Sequence, residues 1–451
     1  MGDDDHDIYG NTSQDNDLKS KNQDSAGQTD MLSVPTKEQA MKKGENIQAI
    51  HTAEQMEKKR RATECLAAWF NEAGIPFNTA CLGSFDLMLE AIAQCGLGLH
   101  GPSLHELDGL LLNQQVLAIN RSIEALKKSW ALEECSILVD LNMGYDGRRL
   151  LNLAVHCSQG VSFLRSIELP SGKYDEAFTC QLVDSCIEEV GEKNVVQIIT
   201  NTNSEMVVAK RPNLFWTHCA VSCIGMMLED IGHIPLIKRT IAKASFGPVV
   251  GILRRMANGR SYMGFIYGEL ENAKREIAFR FENKEEHYLP IWSHIDFRIN
   301  YYLKKPLHLL GYYLNPLFYY RNINEIEKTE IFRDAFVECT HRMYQDQSMQ
   351  EKIVNQLMLY RTASESFCAA HAIHAQMTIE PVIWWESHGA AAKELSTMAL
   401  RILRLTCGSV AYEPSWIAKI HREKPPWVQH KKFKDSMFVT VNKRIQGKAQ
   451  M

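Results

Sequence analysis

Three short apolar runs, CSILVD (135–140), LLNLAVHC (150–157) and VSFLRSIEL (161–169), are joined by the polar, glycine-containing links MGYDGRR and SQG. Runs of this length bounded by turn residues predict three strands in an antiparallel meander. A helix-period segment follows, with Phe178, Leu182, Val183 and Ile187 on one face and Gly191 closing it. The β-branched run VVQIIT (195–200) then predicts a buried strand beside the meander. The order β-β-β-α-β, with a strand returning after a crossover helix, predicts an α/β fold.

On the N-terminal side, apolar spacing from Ala62 to Trp130 is helical: Leu66, Trp69 and Phe70, then Phe85, Met88, Leu89 and Ile92. Gly74-Ile75-Pro76 and Gly101-Pro102-Ser103 punctuate it into short helices. On the C-terminal side, residues 205–375 read as mainly helical, broken by PLHLLGYYLNPLFYY (306–320), whose prolines and tyrosines predict a packed irregular segment. From about Gln376 come WWESHG and the amphipathic helix ELSTMALRILRLTC. The resulting division is an acidic tail and polar linker (1–61), a helical lead-in (62–130), the first part of the α/β core (131–244), a helical insertion (245–375) and a C-terminal segment (376–451).

The chain has 451 residues, 45% apolar and 23% charged, an ordinary globular composition with room for a sizeable core. No apolar run approaches the ~20 residues of a membrane span, and the acidic N-terminus does not read as a secretory signal. The twelve cysteines form no C-x-x-C pair and suit a reduced, intracellular protein. Net charge is −4; residues 1–30 hold eight Asp against Lys19 and Lys21, a polar tail expected to be disordered. Lys58-Lys59-Arg60-Arg61 reads as a solvated helix start or as a nuclear-import signal. Residues 419–448 carry nine Lys or Arg against Glu423 and Asp435, which reads as a solvated surface or as a phosphate-contacting patch.

Several chemistries are excluded by motif. There is no phosphate loop with a following Lys-Ser/Thr, no H-E-x-x-H and no G-x-S-x-G. Cys368, His371 and His374 lie three apart, each step falling about 60° short of a full helical turn, so they drift around a helix and do not converge on one ion. Ribonuclease-H-like nucleases place an Asp at the end of the first strand, an Asp at the end of the fourth and a third carboxylate on a later helix, to hold two divalent ions. Here the first strand is expected to end at Asp140, as that chemistry requires, whereas the fourth ends at Thr200-Asn201. An Asn offers one neutral oxygen where metal binding needs a charge.

Collinear blocks give a more specific likeness. IPFNTACLGSFDLMLEAIAQCGLGLHGPSLHEL (75–107), EEVGEKNVVQIITN (188–201), LFWTHCAVSCIGMMLEDIGHIPLIKRTIAKA (214–244), MGFIYGELENAKREI (263–277), KPLHLLGYYLNPLFYY (305–320) and WWESHGAAAKELSTMALRILRLTCGSVAYEPSW (384–416) resemble the transposase-like proteins of plant hAT-superfamily elements. The resemblance covers most of residues 62–445. It implies a ribonuclease-H-like mixed sheet interrupted by a helical insertion, with a helical lead-in and a helical C-terminal hAT dimerisation segment. It also implies a vestigial triad at Asp140, Asn201 and Glu413. The departures matter as much. The family's Asp-Gly-Trp-Thr-Asp is here Asp140-Leu141-Asn142-Met143-Gly144, its Thr-Asp-Asn is Thr200-Asn201-Thr202, and its Cys-x-x-His is Cys219-Ala220-Val221-Ser222. Its last carboxylate survives as Glu413, but Pro414 follows it and disfavours helical geometry there. Two family segments are shortened, after Asn201 and near Ala244, and no zinc finger precedes the lead-in.

These readings predict a catalytically inactive, transposase-derived nuclear protein that works by dimerisation and by weak contact with DNA or chromatin. No cofactor, membrane or small-molecule substrate is expected. The alternatives are an active two-metal DNA transposase, which would need a divalent metal such as Mg, and the non-functional product of a degenerate element. The dimer, with a second copy or a related transposase-like protein, is expected through 384–445. Leu400 and Leu403 lie off the apolar stripe of the helix ELSTMALRILRLTC, and Trp384 and Trp385 point different ways, so at least one tryptophan needs a second surface to cover it.

Overall fold

A computed structural model describes residues 37–143, 147–170, 176–202, 208–234, 242–256, 261–409, 414–423 and 429–449. The acidic tail 1–30 and Glu413 lie outside these residues. The chain divides into two compact units, Met1–Phe85 and Asp86–Met451. In the first, one helix, Lys37–Glu72, runs through the expected start of the lead-in at position 62 and is followed by a 3-10 turn, Phe77–Cys81. Phe70 is buried there, its ring 5.6 Å from both Trp69 and Phe85.

In the second unit the predicted strands form, with one more. β1 (Cys135–Met143), β2 (Arg149–Cys157), β3 (Gly160–Glu168), β4 (Val195–Thr200) and β5 (Phe215–His218) make one sheet in the order β3-β2-β1-β4-β5. β1 to β3 are the antiparallel meander, while β4 and β5 run parallel to β1. The class is therefore the mixed α/β one expected. Three details differ. β1 does not end at Asp140 but continues to Met143 along β2; what ends near Asp140 is its pairing with β4, at Val139↔Thr200. β5 was hidden in a region read as helical, because four buried residues running straight into a helix show no alternation. PLHLLGYYLNPLFYY is helical rather than irregular: Pro306 and Pro316 each open a short helix, where a missing N–H costs nothing.

The sheet is covered on both faces, which its period-2 pattern records. Ile137, Val139, Leu151, Leu153 and Val155 face the helices Leu112–Glu133 and Glu176–Val190, with Val183, Cys186 and Ile187 buried on the latter. Phe178 and Leu182, assigned to that buried face from sequence, are only half-buried. Gly191 ends this helix at φ 89°, a conformation that favours glycine. Leu138, Leu150, Ala154 and Phe163 face the other way, toward Ile417, Phe433, Met437 and Val441 of the helices Pro414–Arg422 and His430–Ala449. Asn442 of the last helix closes the free edge of β3. Its Nδ2 donates to the Phe163 carbonyl at 2.9 Å and its Oδ1 accepts the Phe163 N–H at 3.0 Å, as a neighbouring strand would. The largest core lies among the helices from Ala220 to Leu403 and includes Trp384 and Trp385.

Candidate functional site

Asp140 sits on β1 directly opposite Asn152 of β2, on the sheet face that also carries Leu138. It is buried, and asparagine amides surround its carboxylate. Asn142, two residues on and therefore on the same face, donates to Oδ2, as does Asn152 at 3.4 Å. Asn201 Nδ2 donates to Oδ1 at 2.9 Å.

The orientation of Asn201 is fixed by the backbone. Past Val139 the parallel ladder to β4 has ended, and the Leu141 peptide would be left without its β4 partner. Asn201 supplies one: its Oδ1 accepts the Leu141 N–H at 2.8 Å and its Nδ2 donates to the Leu141 carbonyl at 2.9 Å. Reversing the amide would set oxygen against oxygen and N–H against N–H, so its second N–H must point at Asp140.

This settles a question of fit. In the chemistry implied by the resemblance, the residue after β4 offers a charged oxygen to a cation shared with Asp140. Here an N–H donor occupies that direction, and a donor repels the ion it would have to ligate. The residues present at 140 and 201 do not fit a divalent metal. Among the described residues, no group of three or more His, Cys, Asp or Glu is placed to hold one.

Burial pushes the Asp140 carboxyl up to about 6, against the pull of the Asn152 and Asn142 hydrogen bonds. Moving it from the ordinary 3.8 to about 6 is worth about 3 kcal/mol. The sign follows from the raised value: the contribution is fully present below pH 3.8 and is lost as pH rises through 6. Asp140→Asn should remove that loss. Relative to wild type, the variant should gain up to about 3 kcal/mol between pH 4 and pH 8 in urea melts. Asn152 Oδ1, which has no partner among the described residues, can then accept from the new amide. A variant whose deficit grows with pH would show that Asp140 is held as a stabilising anion.

The other sequence-derived positions fall as follows. Cys219 lies between β5 and the helix Ala220–Gly232; its N–H donates to the Thr200 carbonyl at 2.7 Å and its sulfur accepts the Ser409 N–H at 3.2 Å. Ser222, where the resemblance implies a histidine, is in the first turn of that helix and half-buried. Cys368 is exposed, and the His371 ring lies tilted 5.1 Å from that of His388 rather than joining a cluster with His374. Of the nine C-terminal cations, Lys419, Arg422, Lys431, Lys434, Lys443 and Arg444 are exposed along the last two helices. Lys432 instead meets Asp108 at 3.0 Å, and Arg444 stacks on Trp416. Lys58 to Arg61 are exposed on the first helix, with Arg60 paired to Glu57.

The expected dimer contacts are corrected by the structure. Trp384 and Trp385 are both fully buried within one chain. Trp385 donates its ring N–H to the Leu314 carbonyl at 2.7 Å and Trp384 to that of Ala372 at 2.9 Å. Leu403 is 1% exposed and packs so closely that a Cβ on Gly264 would lie 2.6 Å from it. Leu400 is half-buried against the same core. The helix Lys393–Leu403 is enclosed because the helical insertion wraps it, which its own pattern could not reveal. Trp384, Trp385 and Leu403 are core rather than a partner surface, and Leu400 is partly covered by that core.

Residues 102–246 match a family described as a domain of unknown function (DUF659), a domain found in hAT-family transposase-like proteins. That segment spans the helix before β1, all five strands and the helix after β5. No curated protein matches the chain. Among the described residues, no helix is long and apolar enough to cross a membrane.

Proposed function

We propose that this chain is a transposase-derived protein that has lost strand cleavage and acts in the nucleus through self-association and weak, sequence-tolerant contact with DNA. One observation carries the reading: Asn201 spends its amide on the Leu141 peptide and on Asp140, where a nuclease of this fold needs a second carboxylate. The amide turns a metal-binding position into a strand-to-strand brace. The exposed cations of the last two helices support DNA contact. They lie on an α-helical surface without base-reading order, so binding rests on phosphate and falls steeply with salt.

The test is incubation of purified full-length protein with supercoiled plasmid and Mg²⁺ or Mn²⁺. No nicking is expected. In parallel, fluorescence anisotropy on duplexes of unrelated sequence should give similar, micromolar-range affinities with a steep salt slope. Metal-dependent nicking that disappears in Asp140→Ala would overturn the reading, and so would tight binding to one short site at 150 mM salt.

A further inference from the structure

Leu104–Glu106, Leu107–Leu111 and Leu112–Glu133 follow one another without a break, so residues 104–133 form one helical rod about 45 Å long. Its inner side buries Ile119, Ile123 and Trp130 against the sheet. Its outer side is also apolar: Leu107, Leu110, Leu117 and Leu132 are 51–84% exposed. A helix with water on that side has no use for four leucines there.

Charge narrows what covers them. From Ala62 to Asn120 the sequence contains no Lys or Arg, against six carboxylates. Lys432 of the last helix is neutralised there by Asp108, and no residue of the stretch itself attracts phosphate, which argues against a nucleic acid or an anionic membrane as the occupant. Beyond Leu117 the sign reverses in balance: Arg121, Lys127 and Lys128 are exposed against Glu124, which pairs with Lys127 at 2.7 Å, while Glu106 stands at the opposite end. Leu110, Leu117, Arg121 and Lys128 follow each other at spacings of seven, four and seven, one stripe of the rod. A surface that is acidic at one end, basic at the other and apolar between is complementary to itself when turned end for end.

We propose that this stripe is the self-association surface: two copies pack their rods antiparallel about a two-fold axis near Leu117. Each copy then sets its Glu106 end against the Arg121–Lys128 end of the other, and the leucines lie over the partner's leucines and cationic stems. This rests on the self-association proposed above and replaces the C-terminal contacts that the structure encloses.

Light scattering on the full chain at micromolar concentration should give twice the 51.4 kDa chain mass. Leu110→Glu with Leu117→Glu should return it to one chain mass with an unchanged melting temperature, since both side chains are exposed. With the exposed Cys65, Cys81, Cys95 and Cys368 changed to Ser, Leu117→Cys should cross-link to itself under mild oxidation and Leu107→Cys should not. A dimer that survives the double glutamate variant, or one cross-linked by Leu107→Cys and not by Leu117→Cys, overturns this surface and leaves self-association standing. A wild-type monomer overturns both.

Discussion

Trp385→Ala is expected to lower the unfolding free energy by about 4 kcal/mol or more in urea at neutral pH. The indole is wholly enclosed, with Tyr360 tilted against it at 4.9 Å and Trp384 and Phe367 edge-on at 5.5 Å. Truncation removes all of these contacts at once and leaves a cavity among rings too rigid to collapse into it. It also strands the Leu314 carbonyl, which loses the N–H at 2.7 Å and adds about 1–3 kcal/mol if water does not reach it. Against the 5–15 kcal/mol that holds a typical domain, this is a large fraction. The measurement also separates two roles for this residue. A core tryptophan gives a loss that does not depend on protein concentration; an interface tryptophan gives dissociation that does. A fall below about 1 kcal/mol, or one that shrinks as concentration rises, would return Trp385 to a partner surface.

The tryptophans illustrate where sequence reading fails here. Each apolar face of WWESHGAAAKELSTMALRILRLTC was legible, but what covers a face is a matter of tertiary contact. The helical insertion supplies Tyr320, Tyr360 and Phe367 from far upstream, and no local spacing announces them. The meander was legible for the opposite reason. Its three strands are adjacent in sequence, joined by short polar links, and each alternates between two buried faces. The crossover helix and β4 followed from the same logic, whereas β5 was too short to carry a period.

The site was legible by half. Asp140 and Asn201 could be singled out because a nuclease reading names the strand ends. Asn142 and Asn152 were missed, although a signal existed. Positions 140 and 142 share a face by period 2, and Asn152 interrupts an otherwise apolar run in the strand that pairs with them. A polar side chain inside a strand covered on both faces needs a partner. One such residue opposite an aspartate and another two along its own strand could have been read as its partners. The brace that Asn201 makes with Leu141 was not legible, because it depends on where the β1–β4 pairing stops. Asn442 plays the same part at the β3 edge from 279 residues away.

Asn201→Asp, the change that would supply the carboxylate implied by the resemblance, is expected to destabilise the protein by roughly 2–4 kcal/mol at pH 8. The new carboxylate can still accept the Leu141 N–H. Its other oxygen then faces the Leu141 carbonyl and Asp140 Oδ1, each now 2.9 Å from a donor. Two donated bonds become two repulsions, and one of them is between like charges at a buried site. The pair responds by holding a proton, so its apparent pKa values separate and the upper one rises above that of Asp140 alone. A raised value means that stability is complete at low pH and lost as pH climbs through it. The deficit should therefore be largest at pH 8 and shrink toward pH 5 in paired urea melts. The variant should still leave plasmid uncut with Mg²⁺ or Mn²⁺, because Ser222 remains in place of the histidine and Pro414 still follows Glu413. A variant as stable as wild type at pH 8 would mean that Asn201 braces nothing. Nicking by it in Mn²⁺ would mean that a single amide is all that separates this chain from a nuclease.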